Sequence, residues 1–167
     1  MFIDKRILYI VLGLFIVSNL AGLLSNTNAL LSLLISLPAV LIAITFHEYA
    51  HAWAADRLGD DTPRRQGRLS LNPFSHLDPI GTVMLVFAGF GWGKPVEIDS
   101  RNFNRNIKMS VAEAIVAAAG PLMNFILAII FTIIYTAIWK FAPSFVLTQV
   151  GSIVMILLSA CVSVNVG

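Results

Sequence analysis

The sequence predicts an all-α membrane protein with about four transmembrane helices and a large cytoplasmic or re-entrant loop that contains a short β or extended segment. Three observations lead there. Of 167 residues, 57% are hydrophobic and 12% charged, where soluble domains run about 45–50% and about 25%. Mean hydropathy is +0.84. From Ile7 to Phe46 there is no Asp, Glu, Lys or Arg. This composition excludes a disordered chain, a coiled coil and a nucleic-acid module built on a charged face. The net charge of +2 is too small to imply a polyanionic partner. The single cysteine, Cys161, leaves no internal disulfide.

A crossing helix needs about 20 apolar residues. The first run, 7–24, follows Lys5 and Arg6 and is read as a retained helix. Ser25-Asn26-Thr27-Asn28 interrupts, and a second run covers 29–55. The third span lies within 111–139, where Glu113 is the only charge and Pro121 is expected to bend the helix. The fourth, 150–167, is still apolar at the last residue, so the sequence reads as one membrane-embedded unit, 1–167, cut within its fourth span. Between spans two and three, Asp56–Lys108 holds eight of the eleven basic residues, and Lys5 and Arg6 fall on the same side. The positive-inside rule then makes the N-terminus and the 56–108 loop cytoplasmic in a multi-pass protein of the cell membrane. Inside the loop, Ile80–Phe90 is apolar but too short to cross; its Thr, Val and Phe content fits a strand or a re-entrant turn. As a strand it offers an edge to an unwound substrate, and the plainer reading is a buried apolar loop.

His47-Glu48-Tyr49-Ala50-His51, late in the second span, matches H-E-x-x-H. Positions four apart share a helix face, so both imidazoles can reach one metal ion, with Glu48 beside it. This is the zincin arrangement. Zinc held by three protein ligands keeps a position for water and lowers that water's pKa to about 7. Glu48 as general base takes the proton, a peptide carbonyl is attacked, and the proton passes to the leaving amine. The bland alternative is a buried hydrogen-bond network, but three ionisable groups within five residues at membrane depth point to function.

Four stretches, in order, carry a resemblance: FHEYAHAWAADRLGD (46–60), GRLSLNPFSHLDPIGT (67–82), GWGKPVEID (91–99) and AAGPLMN (118–124). The chain resembles the site-2 protease family of intramembrane zinc metalloproteases, in its compact prokaryotic form without a PDZ or CBS module. The resemblance implies an endopeptidase that cuts the transmembrane helix of membrane-protein substrates within the lipid bilayer. It implies one zinc ion per chain, His47 and His51 as metal ligands, and Glu48 as the catalytic glutamate. The family's third ligand is an aspartate of an N-x-x-P-x-x-x-L-D-G motif. Ser163–Gly167 resembles the start of that span, so the expected ligand lies past Gly167. His76 and Asp78 are the substitutes within the chain, in a stretch resembling a family loop where neither is a ligand.

Two other functions fit less well. A metal-binding transporter or channel needs a polar path, and Ser18, Asn19, Thr45, Asn124 and Thr132 are scattered. The other is an inactive truncated form that only binds substrate. Among secondary candidates, Asn124 either orients substrate or, more simply, bonds between helices; Ala50, Ala54 and Ala55 permit close packing. The arginines from Arg57 to Arg68 read as topology determinants.

Overall fold

The computed structural model describes residues 5–88 and 91–166. Helix α1 (Lys5–Ser25) leads into α2 (Thr27–Arg57), and a short α3 (Thr62–Arg65) follows. A 3₁₀ turn (Pro73–Ser75), α4 (Pro79–Ala88) and a second 3₁₀ turn (Ser100–Asn102) make up the loop region. Helix α5 (Met109–Phe141), the short α6 (Pro143–Val146) and α7 (Gln149–Val166) complete the chain. Helices α2, α5 and α7 pack mutually, and α1 touches α2 and α4.

The packing is inverted relative to a soluble bundle. Ala39, Ala43, Ala50, Ala54, Ala112 and Ala128 are buried, while Ile115, Leu122, Phe125, Ile133 and Ile153 face outward. Burying apolar bulk gains little where the solvent is hydrocarbon, so small residues line the seam and let backbones approach. Three helices among the described residues are long and apolar enough to cross a membrane: 30–57 within α2, and all of α5 and α7. These carry the second, third and fourth expected spans. The first, 7–24, falls on α1, whose described apolar part is the shorter Gly13–Gly22. Pro121 lies inside α5, which continues through it.

The expectation of a strand over Ile80–Phe90 is corrected: residues 79–88 form helix α4, and Gly89 and Phe90 lie outside the described residues. The reason is its start. The Asp78 carboxylate accepts the Gly81 N–H at 2.7 Å, the Asp78 carbonyl accepts the Thr82 hydroxyl, and Pro79 takes the first helical position. A capping carboxylate with proline at N1 is a strong helix start and outweighs the β-branched content. Among the described residues no strand forms; Leu77 and Gly93 make one isolated antiparallel bridge. No strand edge is therefore offered by residues 79–88.

Two buried ions hold the loop in shape, one of them directly after the end of α2. Helix α2 ends where Gly59, at φ +108°, turns the chain. The Asp60 N–H bonds Ala55 O and the Gly59 N–H bonds Asp56 O, a Schellman closure. That places the Asp60 carboxylate, fully buried, where it accepts four bonds: from Thr62 N (3.1 Å), Thr62 Oγ1 (2.5 Å), Asp99 N (2.7 Å) and Asn102 Nδ2 (3.0 Å). Arg68, also buried, donates to the carbonyls of Ser75, Lys94 (2.5 Å) and Pro95 (2.7 Å). Arg68 is thus a clamp on the loop as well as a positive charge. Residues 91–99 are held at both ends and lie across α2.

Burial alone raises the Asp60 pKa, but the bonds from Asn102, Thr62 and the Asp99 amide outweigh it, and the carboxyl ends below the usual aspartate value. A depressed folded pKa stabilises above the unfolded value, about 3.9, and that contribution is lost as pH falls through the folded one. Asp60→Asn turns one acceptor into a donor facing donors and is expected to cost about 1–3 kcal/mol at neutral pH. Thermal unfolding in detergent should show the wild-type advantage shrinking below about pH 4. An unchanged difference between the proteins down to pH 2 would contradict this role.

Candidate active site

Helix α2 delivers His47, Glu48 and His51 on adjoining faces, as the four-residue spacing requires. The two Nε2 atoms lie 3.1 Å apart and the rings meet edge to face at 77°. His51 Nδ1 sits 2.6 Å from the carbonyl of Val116 on α5. A carbonyl only accepts, so Nδ1 carries the proton and the Nε2 of His51 presents a lone pair toward His47. This is the orienting bond that metal-ligating histidines generally make through their other nitrogen.

Helix α5 places Gly120 against both rings. A Cβ there would lie 2.4 Å from His51 Nε2 and 2.5 Å from His47 Nε2. The helix thus presents backbone alone to the point where the two nitrogens converge. Two imidazole nitrogens on one tetrahedral zinc, each bound at about 2.0–2.1 Å, lie about 3.3 Å apart. The observed 3.1 Å is close to that, so the pair fits two positions of a divalent transition metal, though it also fits an N–H···N bond. Among the described residues no group of three His, Cys, Asp or Glu gathers to hold a metal. His76 is buried with Nε2 2.6 Å from the Ser70 carbonyl. Asp78 caps α4. Neither joins the pair.

Glu48 borders two cavities. One, of about 290 Å³, is shared with His47, Trp92, Gly93 and Asn124. The Asn124 Oδ1 is buried there, with the Asn124 side chain close to His47. The other, of about 240 Å³, lies between the 95–98 segment and α5. The Val96 N–H donates to Glu48 Oε2 at 3.1 Å, so the loop pinned by Asp60 and Arg68 also holds the carboxylate. Gly93 passes tightly here: a Cβ would meet Ile44 Cγ2 at 2.7 Å and Glu48 Cγ at 3.6 Å. Of these partners, Gly120 and Asn124 stood in a recognisable stretch of sequence. The Val96 amide and the Val116 carbonyl leave no side-chain signal, since their contribution is backbone.

The model of peptidase family M50 matches residues 35–166. The chain is 48% identical over 91 residues to "Putative zinc metalloprotease YwhC" of Bacillus subtilis, covering 54% of this chain and 40% of that protein. It is 31% identical over 105 residues to "Putative zinc metalloprotease Rip2" of Mycolicibacterium smegmatis, covering 59% and 39%. The matched regions thus span less than half the length of these relatives. No solved structure matches the chain. With a family match over most of its length, and with the paired histidines and glutamate inside that match, the chain belongs to peptidase family M50, the site-2 protease family.

Proposed function

We propose that this chain carries the catalytic half-site of an intramembrane zinc metalloendopeptidase. The observation that supports this most is the convergence of two imidazole nitrogens, 3.1 Å apart, beside Glu48 on a helix of membrane-crossing length. The relatives' names point to zinc. His47 and His51 would hold it, with a further ligand from outside the described residues. When bound, zinc supplies a Lewis acid that makes water acidic near neutral pH.

The chain's own groups then have defined tasks. Glu48 accepts a proton from the attacking water at its carboxylate. As the C–O bond forms and the C–N bond breaks, it delivers that proton to the amine nitrogen. The Val96 amide holds Oε2, and Oε1 has no hydrogen bond among the described residues. Oε1 is therefore the oxygen available for the proton. The His51–Val116 bond keeps the ring from rotating its lone pair away. The substrate is a transmembrane segment of another membrane protein. Helical carbonyls are shielded by their own hydrogen bonds, so the segment must unwind before Glu48 can serve it. In the membrane we place four crossings, with the N-terminus and the 56–108 loop in the cytoplasm, following the basic residues.

Three outcomes test this in full-length protein reconstituted in liposomes. Glu48→Gln should lose about 10²–10⁴-fold in cleavage rate while retaining zinc by elemental analysis; cleavage at the wild-type rate refutes the mechanism. His47→Ala should lose both zinc and cleavage, and chelation of the wild type should stop cleavage until Zn²⁺ is restored. Gly120→Ala should lower bound zinc to well under one per chain without unfolding the bundle, because the added methyl occupies the space in front of both Nε2 atoms. Stoichiometric zinc in that variant would show that the glycine is ordinary helix packing.

A further inference from the structure

We propose that the cavity between the 95–98 segment and α5 is a subsite for a positively charged substrate side chain, a lysine or arginine near the cleaved bond, with Glu113 as its anchor. This rests on the peptidase reading above. The cavity measures about 240 Å³. That is below the roughly 300–1,000 Å³ of pockets that take a whole small molecule, and suits one long side chain. Its wall includes Glu48 and His51, so whatever occupies it lies next to the proposed base. Val96, Ile98 and Val116 supply an apolar surface for a polymethylene stem.

Apart from the zinc that His51 would hold, the formal charges on that wall are carboxylates. Two carboxylates, Glu48 and Glu113, and one imidazole line the cavity, and no lysine or arginine does. Glu113 is fixed in place by the Ser100 hydroxyl, which donates to Oε1 at 2.6 Å. It has no ion-pair partner among the described residues, whereas Asp56, Asp61 and Asp99 nearby in the loop each pair with an arginine. An oriented, cation-free carboxylate on an apolar wall favours a charged donor over a neutral or acidic side chain. Glu113 touches the substrate and not the reacting atoms, so it is a specificity-determining residue.

The probes are single-span Leu/Ala peptides that differ at one position, carrying lysine, norleucine or glutamate, with that position scanned over three residues on either side of the cleaved bond. Cleavage is followed as kcat/KM in the full-length protein, and binding of labelled peptides is measured separately with the protein in chelator. At one position the wild type should prefer lysine over norleucine by about two- to fivefold, the scale of one accessible ion pair. The ratio should fall to near one in Glu113→Gln, and glutamate should become preferred in Glu113→Lys. Cleavage with no lysine preference at any position, or a preference that persists in Glu113→Gln, overturns the subsite and leaves the peptidase reading standing. Equal slowing of all peptides in Glu113→Gln also overturns it, since that is the behaviour of a proton relay. A Glu113-dependent lysine preference in binding, with no cleavage of any peptide by the zinc-loaded wild type, supports the subsite and overturns the peptidase reading instead.

Discussion

The bond between His51 Nδ1 and the Val116 carbonyl, 2.6 Å long, is the contact on which the site's geometry depends. It joins α2 to α5 at the depth of the histidine pair. It assigns the proton to Nδ1, and so decides that Nε2 faces the other ring. It forms only if the two helix backbones come close, which the small residues of the seam permit. Buried Ala54 and Ala55 on α2 pack with Ala112 and Val116 on α5, and Gly120 lies against the two rings. A larger side chain along that line would push the carbonyl beyond hydrogen-bond reach, and the ring would lose its orientation along with its partner.

The loop region solves a different problem. Residues 91–99 contain no regular element beyond one bridge, yet one backbone amide of this segment must stay at Glu48. An irregular chain holds such a position only if its ends are fixed. Arg68 fixes one end through the carbonyls of Lys94 and Pro95, and Asp60 the other through the Asp99 amide. Neither buried ion is neutralised by a counter-ion at these contacts; each is satisfied by oriented dipoles, which avoids leaving a desolvated charge unpaired. Exposed ions of the same loop follow the opposite rule: Asp99 is held at about 2 by Arg101, which hydrogen-bonds its carboxylate from the surface.

How much of this was legible in the sequence follows the range of each interaction. The H-E-x-x-H triplet is local, and its shared helix face follows from helix pitch alone. Spans two to four follow from hydropathy. The error over Ile80–Phe90 came from weighing side-chain composition above the Asp78-Pro79 start signal, which was present and local. Arg68 read as a topology charge because burial by distant carbonyls cannot be seen from its neighbours. Gly120 stood in a family-like stretch, but its closeness to two rings sixty-nine and seventy-three residues earlier is purely tertiary. Glu113 looked like a stray charge at the start of a span; only folding brings it to the cavity that Glu48 borders.

The two cavities beside Glu48 follow from the same small-residue packing that sets the helix approach. A seam of alanine and glycine brings backbones together but does not fill the corners where a third element crosses, and here the 91–99 segment crosses α2 and α5. Space is left on both sides of the carboxylate, with Asn124 and Trp92 on one and Glu113 and Ile98 on the other. One side holds the buried Asn124 amide beside His47. The other is more apolar and bears the Glu113 carboxylate, which has no ion-pair partner among the described residues. A base that borders both can take a proton from one side and face the substrate from the other without leaving the hydrogen bond that holds it. Filling either space with a larger core residue would improve packing and remove one of the two approaches, so the looseness of the bundle at this depth is a requirement of the proposed chemistry.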